Sequence, residues 1–371
     1  MLRGLVMVLM TLDHTRDFFS ASSFDPRDVN DPALFLTRWI THLCAPVFVF
    51  LAGVSAGLRH DEVGATQPLS RFLVTRGLWL VLLEFTIVRI AWTFDPFGSV
   101  VFAQVIWALG VSMMALAGLV YFPRPVLAGL SLALIAGHNL LDGFRVAGEQ
   151  YAAWLWMVVH QPGVVRGDYL TVVVLYPLVP WIGVMAAGYA LAPAFRRPSY
   201  ERRRYLLVLG VAVTIAFVTM RSTNFYGDPV SWTPQADIVP TLLSFVNCEK
   251  YPPSLSYLMM TLGPALMILA VFDGASGFAA RSLNVIGRTP LLYYVAHIYL
   301  LHALAVLVVW SGGADVSWLL QSSAAGKPAG WGYSLPIVYA IAAGTVIALY
   351  PLCRWLGAIK ERRHEWWWSY V

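Results

Sequence analysis

The first apolar segment of the chain carries basic and histidine side chains at a spacing that could support chemistry. In the run RGLVMVLMTLDHTRDFF, Arg3 and His14 are eleven positions apart. At about 3.6 residues per turn and about 1.5 Å rise per residue, a helix would place both side chains on one face, roughly 16 Å apart. One long ligand could therefore contact both residues.

Coenzyme A is a ligand of this shape, with phosphates at one end and a thioester at the far end of an extended arm. Arg3 would bind the phosphates, because a guanidinium matches phosphate geometry. His14 would lie near the acyl group, where an imidazole can act as general base or nucleophile. Asp13 and Asp17 would tune the ring, and Asp17 lies about one helical turn further on. The plainer alternative is that Arg3 anchors the helix in the membrane and that His14 pairs with Asp17 for stability.

Other polar side chains lie within or beside apolar segments, where ionisable groups are costly unless they line a cavity or meet a partner. Glu84 lies in the middle of such a segment, either as a structural acid or as a group that handles protons. In GHNLLDG, His138, Asn139 and Asp142 share a helix face. That face could bind a sugar hydroxyl or cap the helix.

Two later segments carry further candidates. SFVNCEKYPPS places Lys250 and Tyr251 just before an apolar span. Lys250 could contact a phosphate or a glycan, or the loop could simply be anchored at the membrane interface. In GRTPLLYYVAHIYLLH, Tyr293, Tyr294 and His297 share one helix face at spacings of three and four residues.

The composition is typical of a membrane protein. The chain has 371 residues, of which 58% are hydrophobic and 12% are charged, and its mean hydropathy is +0.66. Soluble domains are about one quarter charged. Apolar stretches near the roughly 20 residues that cross a bilayer recur along the whole length. We therefore expect an all-α, polytopic membrane bundle in which residues 1–371 form one transmembrane domain.

The apolar runs predict about ten transmembrane helices, with both termini in the cytoplasm. They lie near residues 1–19, 35–58, 72–92, 101–121, 124–141, 169–193, 203–220, 254–273, 288–310 and 335–357. With this topology the inner segments hold 16 of the 25 Lys and Arg residues, as the positive-inside rule expects. The net charge of +5 thus indicates orientation in the lipid bilayer rather than nucleic-acid binding.

The same topology sorts the eight histidines. His60 and His364 fall on the inner side. The others fall in the outer half of the spans or in outer loops: His14, His42, His138, His160, His297 and His302. Clustering of ionisable side chains near one face of a membrane domain favours a site. The alternative is that each histidine is a packed helix residue bonded to a neighbour.

Several familiar catalytic motifs are missing from the sequence. It contains no HExxH, no P-loop and no dinucleotide-binding fingerprint after a strand. The three cysteines lack CxxC spacing, and no histidine spacing supports a metal site. We therefore expect no metal.

Five segments together resemble a known family of membrane proteins. They are RGLVMVLMTLDHTRDFF, THLCAPVFVFLAGVSA, YPLVPWIGVMAAGYAL, KYPPSLSYLMMTLGP and GRTPLLYYVAHIYLLH. The chain is similar, essentially from end to end, to the bacterial heparan-alpha-glucosaminide N-acetyltransferase-like membrane proteins. The wider membrane acyltransferase superfamily shares a first-helix basic residue followed by a histidine, which Arg3 and His14 match. The resemblance implies transfer of acetyl from acetyl-CoA to a sugar.

The residues and the resemblance together predict an acetyltransferase of the bacterial inner membrane. We expect acetyl-CoA as donor and an amine or hydroxyl of an envelope sugar or glycan as acceptor. His14 is the expected base or nucleophile, and Arg3 and Arg288 are the expected contacts to the coenzyme. The residues expected to bind substrate in an outer chamber are His42, Glu84, His138, Asn139, Lys250, Tyr251 and His297. A transporter or flippase would also need a polar chamber, and the sequence leaves open whether copies associate as a homo-oligomer.

Overall fold

The computed structural model describes residues 1–21, 25–146, 148, 150–320, 327–328, 330–363 and 365, and most of them are helical. The helices are α1 (Leu2–Phe19), α2 (Pro32–Thr41), α3 (Cys44–Val63), α4 (Thr66–Leu83), α5 (Arg89–Thr93), α6 (Val105–Leu119), α7 (Arg124–Gly137), α8 (Tyr151–Val159), α9 (Leu178–Leu191), α10 (Ser199–Thr223), α11 (Ile238–Val246), α12 (Leu255–Phe272), α13 (Phe278–Gly287), α14 (Pro290–Ser311) and α15 (Leu335–Arg362). A π-helical turn, Glu84–Val88, joins α4 to α5. Short 3-10 turns, His138–Leu141 and Ala192–Arg196, extend α7 and α9.

Three short strands among the described residues make the fold less purely helical than expected. They are β1 (Val100–Ala103), β2 (Gly163–Arg166) and β3 (Thr171–Val174), in the sheet order β1-β3-β2. Strands β2 and β3 pair antiparallel, with Gly163 opposite Val174. Because β1 and β3 occupy the first residues of the spans expected at 101–121 and 169–193, α6 and α9 begin later than predicted. The runs VVFA and TVVV are as apolar as a span, but their β-branched residues favour extended backbone.

Among the described residues, seven helical segments are long and apolar enough to cross a membrane. They are Pro32–Val63, Arg124–Leu141, Leu178–Arg196, Ser199–Thr223, Leu255–Phe272, Pro290–Ser311 and Leu335–Arg362. The expected spans near 1–19, 72–92 and 101–121 are not in this set. Helix α1 carries several charges, α4 gives way to the π-helical turn, and α6 has only 15 residues. Seven such segments still identify the chain as a membrane protein by length and composition.

The chain forms two compact units. Unit 1 consists of Met1–Cys44, Thr86–Val100 and Ala275–Val371, and unit 2 of Ala45–Phe85 and Val101–Gly274. In unit 1, α1 contacts α2, α13, α14 and α15, so the first helix lies among the other helices of its unit. Its approach to α13 is close, because a Cβ atom on Gly4 would lie 1.9 Å from the carbonyl oxygen of Leu283. Glycine at position 4 is therefore required for this packing.

Unit 2 also uses glycine where helices cross. A Cβ atom on Gly53 in α3 would lie 2.0 Å from the Met185 carbonyl oxygen in α9. One on Gly188 in α9 would lie 2.1 Å from the Phe50 carbonyl oxygen in α3. Small residues of this kind let helix backbones approach closely in membrane proteins.

Arg221, at the end of α10, organises the long connection that follows in unit 2. The side chain is 2% exposed, and it donates to the carbonyl oxygens of Phe245 and Val230 at 2.9 and 2.7 Å. The Asp228 carboxylate lies 3.7 Å away and balances its charge. Asp228 also accepts a hydrogen bond from Ser254, the N-cap of α12, at 2.6 Å. A buried ion pair therefore fixes the segment that leads into α12.

Candidate active site

Helices α1 and α14 bring two of the predicted histidines together. The contacts along the pair include Thr11–Tyr293 at 2.6 Å between hydroxyl oxygens, His14–His297 at 2.7 Å between ring nitrogens, and Phe18–His302 at 5.0 Å between ring centroids. The contacts advance in the same direction along both helices, so α1 and α14 run parallel here. Their spacing of about one turn shows that one face of each helix meets the other.

The hydrogen bonds of His297 determine which nitrogen of His14 carries the proton. His297 Nδ1 lies 2.8 Å from the Tyr293 carbonyl oxygen. That oxygen only accepts, so Nδ1 of His297 is the donor. In a neutral ring the Nε2 of His297 then has the lone pair, and it accepts a hydrogen bond from His14 Nδ1 at 2.7 Å. The proton of neutral His14 is therefore on Nδ1, and its Nε2 is the basic nitrogen.

The two imidazoles have an aromatic environment. Their rings stack at 4.9 Å between centroids, with 8° between the planes. His297 is fully buried, whereas His14 is partly exposed. Trp92 meets His14 edge-on at 4.8 Å between centroids. The indole Nε1 of Trp92 is buried and makes no hydrogen bond with any described residue. A buried donor of this kind is costly to leave unpaired, so it is available to a bound polar group.

Asp13 and Asp17, which we expected to tune His14, both pair with Arg16. The distances from the guanidinium are 2.9 Å to Asp13 and 3.1 Å to Asp17. The Nδ1 atom of His14 is instead bonded to His297, from the opposite end of the sequence. A tuning effect of either carboxylate on His14 stays a prediction.

The loop before α15 caps the end of α1. Lys327 donates to the carbonyl oxygens of Arg16 and Ser20 at 3.2 and 2.9 Å, and the Trp331 indole donates to that of Phe18 at 3.2 Å. These donors satisfy carbonyls that a helix end leaves without an intrahelical partner. Burial lowers the pKa of Lys327 to about 8. These hydrogen bonds hold the C-terminal end of α1, just after His14, in place.

Arg3 and Arg288, predicted for the coenzyme, lie at the same end of unit 1. Arg3 is in the first turn of α1, and Arg288 directly follows α13. A Cβ atom on Gly287 would lie 3.6 Å from the Cβ of Arg3. Arg288 also pairs with Glu361 in the last turn of α15. Unit 1 therefore brings the two arginines close together, and their contact with a coenzyme stays a prediction.

His42 and Glu84 belong to other elements than α1 and α14, the helices that carry His14 and His297. His42 is buried at the C-cap of α2. Glu84, in unit 2, is 2% exposed and accepts the Trp107 backbone N–H at 2.8 Å in the first turn of α6. The N–H groups and the dipole of a helix N-terminus stabilise a carboxylate there. This geometry favours the structural interpretation of Glu84, and substrate binding by either residue stays a prediction.

The turn after α7 forms a second polar cluster, in unit 2. Asn139 donates to Asp142 at 2.7 Å, and its side-chain oxygen accepts the Leu255 backbone N–H at 2.9 Å. The turn is therefore tied to the first residue of α12. His138 is buried in the same turn, and His160, at the end of α8, lies 3.2 Å from Asp142. The sequence predicted that His138, Asn139 and Asp142 share one face. It gave no signal that His160 lies beside them.

Lys250 and Tyr251 lie in the segment that leads into α12. The Lys250 ammonium is 5.1 Å from the centroid of the Tyr251 ring, and the Tyr176 ring meets Tyr251 edge-on at 5.4 Å. The Glu249 carboxylate accepts the backbone N–H groups of both residues at 3.0 and 3.1 Å. The segment is thus ordered, and its contact with an acceptor stays a prediction.

Comparison with known proteins identifies the family. The family model described as heparan-alpha-glucosaminide N-acetyltransferase, catalytic, matches residues 1–227, which is more than half of the chain. The matched part contains Arg3, His14 and Trp92, and His297 lies beyond it. No curated protein matches the chain at a significant level. The chain therefore belongs to the heparan-alpha-glucosaminide N-acetyltransferase catalytic family, whose members are transferases.

Proposed function

We propose that this protein is a membrane-embedded acyltransferase that moves an acetyl group from acetyl-CoA to an amine or hydroxyl of an envelope sugar or glycan. Family membership supports the transferase class. The proposal depends most on the hydrogen-bond chain from the Tyr293 carbonyl through His297 to His14. Because this chain leaves a lone pair on Nε2 of His14, the ring can take a proton or attack a carbonyl carbon.

Two routes use the same His14 tautomer. In the direct route, the acceptor amine or hydroxyl attacks the thioester carbonyl carbon while Nε2 of His14 takes its proton. The C–S bond breaks, and the proton passes to the coenzyme sulfur. In the two-step route, Nε2 attacks the thioester carbonyl carbon first, the C–S bond breaks, and the coenzyme leaves as a thiolate. The acceptor then displaces the ring from the acetyl group, and the acceptor's proton passes to the coenzyme sulfur. Both routes yield an acetylated acceptor and free coenzyme A.

Trp92 supports acyl transfer at this position. Its ring centroid is 4.8 Å from that of His14, and its buried N–H makes no hydrogen bond with the described residues. When a nucleophile adds to a thioester, negative charge develops on the carbonyl oxygen. A donor that is already in place stabilises that charge in the transition state. In this proposal Trp92 is that donor.

Helix α1 would set the distance between the two ends of the donor. Arg3 and Arg288 would contact the phosphates, roughly three turns, or about 16 Å, from His14. We further propose ten spans in the bacterial inner membrane with both termini in the cytoplasm. The arginine end would then face the compartment that contains acetyl-CoA, and His14 would lie toward the envelope acceptor.

An acceptor-dependent assay tests this function. Purified protein in detergent is incubated with acetyl-CoA and with amino sugars, neutral sugars or an extract of envelope glycans. We expect free thiol to appear only when an acceptor is present, together with an acetylated product seen by mass spectrometry. A transporter would instead move a ligand across liposomes without consuming acetyl-CoA. If no acceptor promotes thiol release, the proposed function is wrong.

A further inference from the structure

Three potential metal ligands meet at one place in unit 2. His138 lies in the 3-10 turn after α7, Asp142 follows that turn, and His160 ends α8. One ring nitrogen from each histidine and one carboxylate oxygen all lie within 4.8 Å of one another. The two imidazole rings are 5.7 Å apart between centroids. The cluster therefore combines two nitrogen donors with one carboxylate.

The histidines of this cluster are buried with incompletely satisfied nitrogens. His138 and His160 are 2% and 3% exposed. Neither nitrogen of His138, nor Nδ1 of His160, makes a well-aligned hydrogen bond with the described residues. Buried polar atoms in proteins normally have a partner, and a bound ion can be that partner. These atoms point to a ligand within the cluster.

The geometry between His160 and Asp142 also fits a shared ion. His160 Nε2 and Asp142 Oδ1 are 3.2 Å apart, which is long for a charge-assisted hydrogen bond. In tetrahedral zinc sites, bonds of about 2.0–2.1 Å place two ligand atoms about 3.3 Å apart. A ring nitrogen of His138 lies within 4.8 Å of both atoms, so His138 would move closer when an ion binds.

Hydrogen bonds from neighbouring groups hold the proposed ligands in place, as is usual around metal sites. Asn139 donates to Asp142 Oδ2 at 2.7 Å and is itself fixed by the Leu255 backbone N–H. Such outer contacts orient ligand atoms.

We propose that His138, Asp142 and His160 bind a divalent first-row transition metal, with Zn²⁺ the best fit to two imidazoles and a carboxylate. Three protein ligands on zinc leave a fourth position for water or for an oxygen of a bound molecule. This site departs from the expectation, drawn from sequence spacing, that the protein holds no metal. The spacing gave no signal because His160 comes from a different helix than the other two ligands.

Metal analysis of purified protein tests the site. The chain is purified through a tag without histidine, stripped with a chelator, reloaded with Zn²⁺ and dialysed. We expect about one zinc ion per chain, and a rise in melting temperature on adding zinc because the ion binds the folded state. Asp142→Asn, which keeps the size of the side chain, should lose both effects. His60→Asn is the control, because His60 bonds to Tyr189 and Thr66 outside the cluster.

A competition titration with a zinc-binding dye gives the second measurement. Asn139→Ala leaves all three ligands in place and should weaken zinc binding about 10- to 100-fold, since it removes an outer contact. His138→Ala should abolish stoichiometric binding. The proposal is overturned if the wild-type chain binds no stoichiometric metal, or if Asp142→Asn binds zinc as tightly as the wild type and His60→Asn do.

Discussion

At the residue scale, the central feature is the proton on Nδ1 of His14, whose position depends on the backbone carbonyl of Tyr293. The Tyr293 carbonyl orients His297, and His297 orients His14. The same logic operates in catalytic triads, where a hydrogen bond to one imidazole nitrogen leaves the other as the base. Here a second histidine takes the place of a carboxylate as the partner of Nδ1, and it gives His14 a fixed tautomer.

Replacement of His297 tests this arrangement. His297→Phe keeps an aromatic ring but removes the acceptor for His14 Nδ1, so the wrong tautomer becomes accessible. We expect kcat to fall about 10²-fold or more, while KM for acetyl-CoA changes little. Thr11→Val is the control, because it removes the neighbouring buried hydrogen bond to Tyr293 and leaves the rings in place. Thr11→Val should cost about 0.5–1.5 kcal/mol of stability with kcat near wild type, and an equal loss of kcat in both variants would contradict the tautomer argument.

The sequence predicted the members of this site better than their pairing. His14 was identified by its distance from Arg3, and His297 by its face on α14. Their mutual contact could not be predicted, because 283 residues separate them and side chains so distant leave no periodic pattern. Trp92 had no signal for the same reason. Asp17 is close to His14 in sequence and pairs with Arg16, and its effect on His14 stays a prediction.

At the element scale, α1 is positioned by a close approach at one end and by capping at the other. Gly4 meets the backbone of α13, and Lys327 binds the last carbonyls. Most predicted helices match the observed ones because apolar runs bounded by charge and proline are a strong signal. Starts of α6 and α9 were missed, because apolar β-branched runs have no polar residue to reveal a strand.

A substitution at Gly4 tests the docking of α1. Gly4→Ala would place a methyl group against the Leu283 carbonyl, so α1 must shift, at a cost of about 1–3 kcal/mol. We expect a lower melting temperature in detergent. Gly344→Ala is the control, since nothing lies within 4 Å of a Cβ there; it should be neutral or stabilise by up to about 1 kcal/mol. A Gly4→Ala variant as stable as Gly344→Ala would show that α1 does not pack this closely.

The length of α1 makes a second prediction, on donor binding. Arg3→Ala should weaken acetyl-CoA binding by about 1.5–3 kcal/mol, the usual contribution of a charged hydrogen bond. Arg354→Ala removes an exposed arginine of α15 and should leave affinity unchanged. Calorimetry on the two variants gives the answer. Equal affinities would limit Arg3 to anchoring the helix.

At the scale of the whole molecule, basic side chains mark one end of unit 2. Arg124 pairs with Asp61, and Arg202 pairs with Asp273 at 2.6 Å. These residues lie where α3 and α12 end and where α7 and α10 begin, which are all expected cytoplasmic ends. The charge pattern can therefore be predicted from the sequence, because it depends only on which residues form the loops. The number of spans is harder to predict, since the charged residues of α1 lower its hydropathy.

Cysteine labelling of intact cells tests the orientation. In a background without Cys44, Cys248 and Cys353, a single cysteine replaces either Tyr200 or Phe225, which are 75% and 91% exposed. An impermeant maleimide should label Phe225→Cys but not Tyr200→Cys. After permeabilisation both should react, which controls for reactivity. The reverse pattern in intact cells would invert the topology and put the arginine end outside.

The turnover of His14→Asn tests the central claim most directly. Asparagine keeps a polar side chain but cannot exchange a proton near neutral pH. If Nε2 of His14 is the base or nucleophile, single-turnover acetyl transfer should fall about 10²- to 10⁴-fold, while acetyl-CoA binding and melting temperature stay near wild type. His60→Asn, measured beside it, should retain full turnover. Near wild-type transfer by His14→Asn, with binding intact, would contradict a catalytic role for this histidine.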